Sequence, residues 1–281
     1  MTHNRSPLRR ILKTFALVSL IGGVAVALYA RFVHPYRPRV NHVMVQLPRA
    51  HRHLDGLTIA FVSDTHVGPH FTGADLTPVV ELLQRAEPDL VLFGGDYVSE
   101  SPRFLEYVRD PLKAMAAVSP NGAYGVLGNH DLSNIRERVL AMLHEAGITP
   151  LQNDAVEIPT RLGPLWVVGI DDALLGRPNP AEAFATVPAD APVVALWHEP
   201  DLARRLEPWS PMLLLCGHTH GGQLRLPLIG PLSLPTMGRR YVTGRYEFGD
   251  MTMLISNGIG MYRPPVRLNC PPEVLLVRMI A

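Results

Sequence analysis

The sequence predicts an α/β protein built from layers of sheet and helix. Three observations support this prediction: strand-length apolar runs alternate with helical patterns early in the chain, strands dominate later, and polar residues follow the strands. The composition is globular, with 47% hydrophobic and 18% charged residues. A chain of 281 residues can bury one large core or two modest ones.

The first 30 residues predict a membrane anchor or an export signal. Four cations from Arg5 to Lys13 precede the uncharged residues 14–30, which as a helix would span about 25 Å. Cations before an uncharged run place the N-terminus in the cytoplasm and the body of the protein outside it. We favour a retained single-pass anchor; the alternative is export with cleavage near "AVA" (25–27), and Arg9-Arg10 partly match a twin-arginine signal.

Charge is distributed unevenly along the chain. Residues 1–54 carry nine basic side chains and no acid, whereas residues 55–281 carry 17 basic and 25 acidic side chains, a net charge of −8. A net-acidic body argues against nucleic-acid binding, which needs a basic surface. We therefore divide the chain into a signal or anchor segment (1–30), a Pro- and Arg-rich stalk with a candidate strand at "HVMVQL" (31–54), and a globular domain (55–281).

The globular domain begins with three strand–helix units. Apolar runs bounded by turn residues predict the strands, and apolar residues at helical spacing predict the helices. The strands of these units are predicted at 57–64, 88–96 and 123–131, and the helices at 75–86, 102–118 and 134–145. Later strands are predicted at 165–171, 191–198, 211–218, 251–258 and 273–280.

Polar residues stand where five of these strands end. Ligands and catalytic groups collect at the carboxyl ends of strands in such sheets. One histidine in such a place is usually structural, but five strand ends together favour a site. Carboxylate, amide and imidazole donors suit Mn, Fe, Zn, Ni or Co better than Ca, and seven donors exceed the needs of one ion. The seven are Asp64, Asp96, Asn129, His130, His198, His218 and His220.

Five short blocks then carry a resemblance to a known family. They are "DTH" (64–66), "GGD" (94–96), "GNHD" (128–131), "WHEP" (197–200) and "GHTH" (217–220). In this order they resemble the signature of the calcineurin-like metallophosphoesterases. "GHTHGGQLRLPLIGPL" and "RLNCPPEVLLV" resemble the membrane-associated, exported bacterial branch of that family. The resemblance implies a four-layer α/β/β/α sandwich and a dinuclear metal-dependent phosphoesterase.

The resemblance also implies a role for each matching residue. Asp64, His66 and His220 would hold one ion, and Asp96 would bridge it to a second ion. The second ion would be completed by Asn129, His198 and His218. His130 would be the general acid or a hydrogen-bond donor to the transition state, with Asp131 orienting it. Two such ions bind a hydroxide between them and clamp the phosphate for in-line attack.

Three further positions have alternative interpretations. Glu199 departs from the family pattern and is expected to face solvent; the alternative is that it perturbs the site. The segment "RRYVTGRY" (239–246) either grips an anionic substrate or packs its tyrosines on the sheet. Cys216 and Cys270 are predicted to be buried small hydrophobes, with a disulfide after export as the alternative.

The expected reaction is hydrolysis of a phosphodiester or pyrophosphate bond in envelope or lipid-linked substrates, because a tethered enzyme meets lipids and wall polymers constantly. An exported phosphomonoesterase is the alternative within catalysis. A non-catalytic metal-binding scaffold is the alternative outside it. Scaffolds usually lose metal ligands, and every expected ligand is present in this chain.

Overall fold

The computed structural model describes residues 7–99 and 101–281. Arg5, one of the cations that precede the predicted anchor, lies outside the described residues, as does the side chain of Arg9. Within these ranges the α-helices are α1 (Pro7–Phe32), α2 (Thr77–Ala86), α3 (Leu105–Ala116), α4 (Asn129–Leu132), α5 (Arg136–Glu145) and α6 (Pro180–Ala183). Short 3₁₀-helices span His34–Tyr36, Arg49–Leu54, Gly73–Leu76, Pro102–Phe104, Pro200–Leu206 and His220–Gly222.

Strands form most of the remaining regular structure. In the first half they are β1 (Arg39–Gln46), β2 (Thr58–Val62), β3 (Leu90–Phe93), β4 (Ala123–Gly125), β5 (Ile148–Pro150), β6 (Asp154–Thr160) and β7 (Gly163–Gly169). In the second half they are β8 (Val193–Leu196), β9 (Leu213–Cys216), β10 (Arg225–Leu226), β11 (Gly230–Pro231), β12 (Gly244–Phe248), β13 (Met251–Ile255) and β14 (Glu273–Ile280). Every predicted strand and helix of the globular domain has a counterpart among them.

Two sheets with related topology form the centre of the domain. Among the described residues, one six-stranded sheet has the order β1-β14-β2-β3-β4-β5 and the other has the order β12-β13-β9-β8-β7-β6. The neighbours β2, β3 and β4 are parallel, and so are β7, β8, β9 and β13. Parallel neighbours end at the same edge, so each sheet delivers the residues that follow its strands to one place.

Three apolar clusters stack the layers. One lies between the sheets, where Phe61 and Leu92 of the first sheet join Leu196 and Leu215 of the second. A second cluster packs α2, α3 and α5 on the outer face of the first sheet. A third lies outside the second sheet, under α6 and the 3₁₀-helix Pro200–Leu206. The predicted four-layer α/β/β/α sandwich is confirmed, with a fourth layer made only of short helices.

The segment predicted as a stalk is part of the first sheet from residue 39 onward. Strand β1 pairs in parallel with β14 along its whole length, from Arg39–Glu273 to Gln46–Ile280. Its Val45 is only 1% exposed and packs in the cluster between the sheets. The sequence indicates one strand here but not its partner, because the pairing joins the two ends of the chain. The folded domain therefore includes residues that composition assigns to a linker.

Helix α1 stands apart from this packing. Its apolar side chains are exposed along most of its length, and the segment Arg10–Tyr36 is long and apolar enough to cross a membrane. Only its end meets the domain, where Ala30 is buried and its carbonyl accepts a hydrogen bond from Arg267 N at 2.9 Å. An exposed apolar helix needs an apolar environment, which a bilayer supplies.

Strand β1 yields a prediction that distinguishes a strand of the folded sheet from a stalk outside it. Val45→Asp buries an unpaired charge in the core and is expected to lower the free energy of unfolding by about 3–5 kcal/mol. Met44→Asp, at the neighbouring position that is 63% exposed, is the matched control and is expected to change it by less than about 0.5 kcal/mol. Urea unfolding followed by tryptophan fluorescence measures both. Equal, small effects would mean that this segment is a stalk after all.

Candidate metal centre

The candidate donors lie on sharp turns that follow the strands. Asp64 and Asp96 follow β2 and β3, and His218 follows β9; all three adopt left-handed backbone conformations, with φ of 54°, 55° and 67°. That region costs a non-glycine residue roughly 1–2 kcal/mol and persists where the surrounding structure holds it. At Gly128 a Cβ would overlap the Asp96 carboxylate, so the close approach of these two turns requires glycine.

The first donor cluster consists of Asp64, His66 and His220. Their ligand atoms all lie within 4.8 Å of one another, and all three residues are buried. His220 Nε2 is 3.5 Å from Asp64 Oδ1. One carboxylate and two imidazoles at such spacing could hold a divalent metal ion.

The second donor cluster lies directly beside the first. It contains Asp96, His198 and His218, whose ligand atoms also lie within 4.8 Å of one another. Asp96 Oδ2 is 3.2 Å from His198 Nε2 and 3.4 Å from His66 Nε2. This single oxygen therefore faces an imidazole of each cluster, which is the position that the sequence predicts for a bridging carboxylate.

Contacts behind the histidines fix which ring nitrogen faces the cluster. His198 Nδ1–H donates to the Gly94 carbonyl at 2.6 Å, which leaves Nε2 as a lone-pair donor towards Asp96. His66 Nδ1 lies 2.9 Å from Ser99 Oγ, and His218 Nε2–H donates to the Thr236 carbonyl at 2.7 Å. Outer hydrogen bonds of this kind orient metal-binding histidines and set their tautomer.

Unpaired buried atoms show that these residues fit metal ions. Asn129 Oδ1 and His198 Nε2 are buried and have no hydrogen-bond partner, a situation that usually costs about 1–3 kcal/mol per group. Burial alone would lower the pKa of His198, but the Asp96 carboxylate outweighs it and raises that pKa well above its ordinary value. The field at this point therefore favours a positive charge, whether a proton or a metal ion. The oxygen and nitrogen donors suit the transition metals named above.

The contacts of Asp131 show a structural role beside the one that the resemblance implies. Its carboxylate accepts hydrogen bonds from the backbone N–H groups of Asp96 (2.7 Å), Tyr97 (2.9 Å) and Gly128 (3.0 Å). It thus ties together the loops after β3 and β4, and its orientation of His130 stays a prediction. The His130 ring packs edge-on to His66, and its backbone N–H donates to Asp96 Oδ1 at 2.9 Å.

Glu199 is completely buried, so the expectation that it faces solvent is wrong. Its Oε2 accepts a hydrogen bond from Ala173 N at 3.0 Å. Burial, and then the neighbouring Asp172 carboxyl group, raise the pKa of Glu199 well above its ordinary value, which favours the protonated form of Glu199. Asp172 Oδ1 in turn accepts from the backbone N–H groups of Leu174 and Leu175 at 3.0 and 2.6 Å. The pair anchors the loop after β7 beside His198.

Sequence reasoning missed several supporting residues. Asp172 follows the strand "LWVVGID", so the strand-end criterion could have identified it. Ser63 donates to Asp64 Oδ2 at 2.5 Å, and a serine between a strand and a ligand gives no distinctive signal. Arg267 lies in the quoted block "RLNCPPEV" and is fully buried, with Nη2 3.3 Å from His220 Nδ1 and 2.7 Å from the Gly260 carbonyl.

The two remaining alternatives are resolved by packing. Cys216 and Cys270 are both buried, free thiols. In the segment 239–246, Tyr241 is buried and its ring lies 5.0 Å from that of Tyr246. The backbone N–H groups of its first two arginines donate to the Asp201 carboxylate. The tyrosines of this segment thus belong to the packing of the second sheet.

The buried acid pair yields a prediction about stability. Glu199→Gln keeps an acceptor for Ala173 N and supplies a donor for Asp172. The free energy of unfolding should therefore change by less than about 1 kcal/mol. Glu199→Ala leaves the Ala173 N–H and the Asp172 carboxyl group without this partner, so the free energy of unfolding should fall by about 2–3 kcal/mol. Urea unfolding of the two variants measures the difference. A glutamine variant as unstable as the alanine variant would show that Glu199 is not protonated in the folded protein.

Comparison with known proteins places this geometry in a family. Residues 57–222 match the model of the calcineurin-like phosphoesterases. The phosphodiesterase YaeI of Escherichia coli is 36% identical over 79% of this chain and 82% of its own length. The uncharacterized metallophosphoesterase YkuE of Bacillus subtilis is 29% identical over 88% of this chain and 87% of its own length.

A relative from zebrafish, named a transmembrane protein with a metallophosphoesterase domain, is 28% identical over 92% of this chain and 61% of its own length. The family model covers the loops that carry all seven candidate metal ligands, from Asp64 to His220. The chain therefore belongs to the calcineurin-like phosphoesterase family.

Proposed function

We propose that this protein is a dinuclear phosphodiesterase or pyrophosphatase that acts on envelope or lipid-linked phosphate esters. The observation that carries the proposal is the position of Asp96 Oδ2, 3.2 Å from His198 Nε2 and 3.4 Å from His66 Nε2. A carboxylate shared by two donor clusters is what a pair of close metal ions requires.

Each ion would have its own set of ligands. Asp96 would be shared, and Asn129 Oδ1, buried without a partner, would gain one. When bound, two divalent ions supply Lewis-acid chemistry, activating water and neutralising charge on the phosphate oxygens. The first ion would be held by Asp64, His66 and His220, and the second by Asn129, His198 and His218.

Side chains of the protein itself would donate a proton and hold the ligand loops in position. His130 is half-buried at the mouth of the clusters, with its ring 4.8 Å from that of Tyr262. From this place its imidazole would give a proton or hydrogen bond to the leaving oxygen, a contribution typically worth about 10²–10⁴-fold in rate. The Asp131 carboxylate, bonded to the N–H groups of Asp96 and Gly128, would keep the two ligand loops in register.

The preference for diesters rests on a relative. The Escherichia coli protein that is 36% identical over 79% of this chain is named a phosphodiesterase. The same ligands serve an exported phosphomonoesterase equally well, so the ligand set does not choose between the two reactions. Turnover of bis-p-nitrophenyl phosphate, compared with p-nitrophenyl phosphate, distinguishes them.

The preference for envelope substrates rests on α1. This helix exposes its apolar side chains and is long enough to cross a membrane. Cations at its start would keep the N-terminus in the cytoplasm and the catalytic domain outside, as a retained anchor. A zebrafish relative is named as a transmembrane protein. An enzyme held in this way meets lipid-linked phosphate esters at its own surface.

Two substitutions test the division of labour at the site. Asp96→Ala removes the shared ligand, so bound metal should fall and turnover of bis-p-nitrophenyl phosphate should drop to background. His130→Ala should keep its metal but lose about 10²–10⁴-fold in turnover. Metal content by elemental analysis and initial rates measure both effects.

Asp250→Ala, in the exposed turn between β12 and β13, is the control and should behave as the parent protein. Full activity in the Asp96 variant would contradict the metal assignment. Loss of metal from the His130 variant would make that residue a ligand instead of an acid.

Substrate choice gives a further prediction. The metal-loaded protein should hydrolyse bis-p-nitrophenyl phosphate, and prior treatment with a chelator should abolish this activity until Mn²⁺ is restored. Turnover of the monoester alone would favour the phosphatase. Turnover of neither compound after metal loading would contradict the proposed reaction.

A further inference from the structure

A short hairpin beside the metal centre exposes a group of large apolar side chains. We define the apolar hairpin as residues 225–232, which comprise β10, its turn, β11 and the residue that follows. Leu228 is fully exposed, Ile229 is 70% exposed and Leu232 is 52% exposed. Single exposed hydrophobic residues are common, but several together usually mark an interaction surface.

The tip of the hairpin is built around an unusual residue. Leu228 has a φ of 66°, a left-handed conformation that normally selects glycine or asparagine. The turn geometry therefore does not explain a leucine there, since a smaller residue would form it with less strain. The exposed side chain itself is the feature that needs a partner.

The surrounding charge pattern matches a membrane surface. Residues 226–238 contain no charged side chain, although the domain as a whole is net acidic. Arg225 precedes this stretch, and Arg239 and Arg240 follow it. Apolar residues flanked by arginines are typical of segments that enter the interface of a bilayer with anionic lipids.

The base of the hairpin lies beside the end of α1. Arg267 N donates to the Ala30 carbonyl at 2.9 Å, and His34 Nδ1–H donates to the Arg267 carbonyl at 3.0 Å. Two residues later, Asn269 Nδ2 donates to the Arg225 carbonyl at 2.9 Å. Two residues of extended chain span at most about 7 Å, so one short segment touches both the anchor helix and the hairpin.

We propose that the apolar hairpin inserts into the membrane that holds α1. The inference rests on the retained anchor of the proposed function and adds a second point of contact. A lipid surface is favoured over a second copy of the chain because the base of the hairpin lies beside the end of α1, whose apolar side chains are also exposed. Three residues of chain reach at most about 10 Å from Arg225 to Leu228, which is within the depth range of interfacial segments, about 5–10 Å.

Insertion would place the metal centre at the lipid headgroups. The chain enters the hairpin directly from the turn that carries His220, at Gln223. It returns at Thr236, whose carbonyl accepts a hydrogen bond from His218 at 2.7 Å. Both ends of the uncharged stretch are therefore held at metal-cluster histidines. The substrate class that fits is a phosphate ester attached to lipid, held at headgroup depth.

Fluorescence quenching in vesicles tests the insertion. The full chain with Leu228→Cys, labelled with the fluorophore NBD, is reconstituted into phosphatidylcholine and phosphatidylglycerol vesicles. Emission should shift to shorter wavelength and fall about twofold when lipid with a doxyl quencher near the headgroup is included. Ala189→Cys is the control, because this exposed residue precedes β8 at the opposite edge of the sheets. The parent chain, whose two cysteines are buried, gives the background labelling.

Each outcome decides the proposal. Quenching at position 228 but not at 189 supports it, and Ile229→Cys should reproduce the result if the first variant folds poorly. A chain that floats with vesicles but shows no quenching at either hairpin position overturns the inference alone. A blue shift without lipid quenching also overturns it, in favour of a second copy. A chain that fails to float removes the anchor and the inference together, whereas hydrolysis of bis-p-nitrophenyl phosphate tests the catalytic proposal independently.

Discussion

The structure depends on one buried carboxylate, that of Asp96. One of its oxygens faces His66 and His198, and the other accepts the His130 backbone N–H. Burial raises the pKa of Asp96, but the neighbouring imidazoles of His198, His130 and His66 more than offset this effect. Its pKa therefore lies well below the ordinary value. A buried carboxylate surrounded by imidazoles creates a strong preference for cations at this point.

The two sheets bring that carboxylate and the neighbouring donor residues together. Each sheet contributes parallel strands that end at the same edge, so the turns after β2, β3, β8 and β9 meet above the core between the sheets. Several of these turns hold non-glycine residues in left-handed conformations, which cost energy locally. The apolar packing beneath them, and the hydrogen bonds of Asp131 and Glu199, hold those conformations in place. Stability is thus concentrated under the site.

Much of the site could be predicted from the sequence because its donors follow apolar strands directly. Asp64, Asp96 and His198 each stand two or three residues beyond a strand, and this local pattern is visible without knowledge of the fold. The environment of Glu199 could not be predicted, because its partner Asp172 comes from another strand and its burial is a tertiary property. The pairing of strand β1 could not be predicted either, since its partner β14 lies at the far end of the chain. The apolar hairpin is visible in the sequence as part of an uncharged stretch. The exposure of its leucines beside α1 is visible only in the structure.

Electron paramagnetic resonance of the full-length chain, titrated with Mn²⁺, tests the central claim that Asp96 joins two donor clusters into one centre. Two ions that share a carboxylate lie about 3.5–4 Å apart and are magnetically coupled. We therefore predict that the second equivalent of Mn²⁺ produces an exchange-coupled signal, and that Asp96→Ala abolishes it. Ions that remain magnetically independent at saturation, or a single bound ion, would contradict the account.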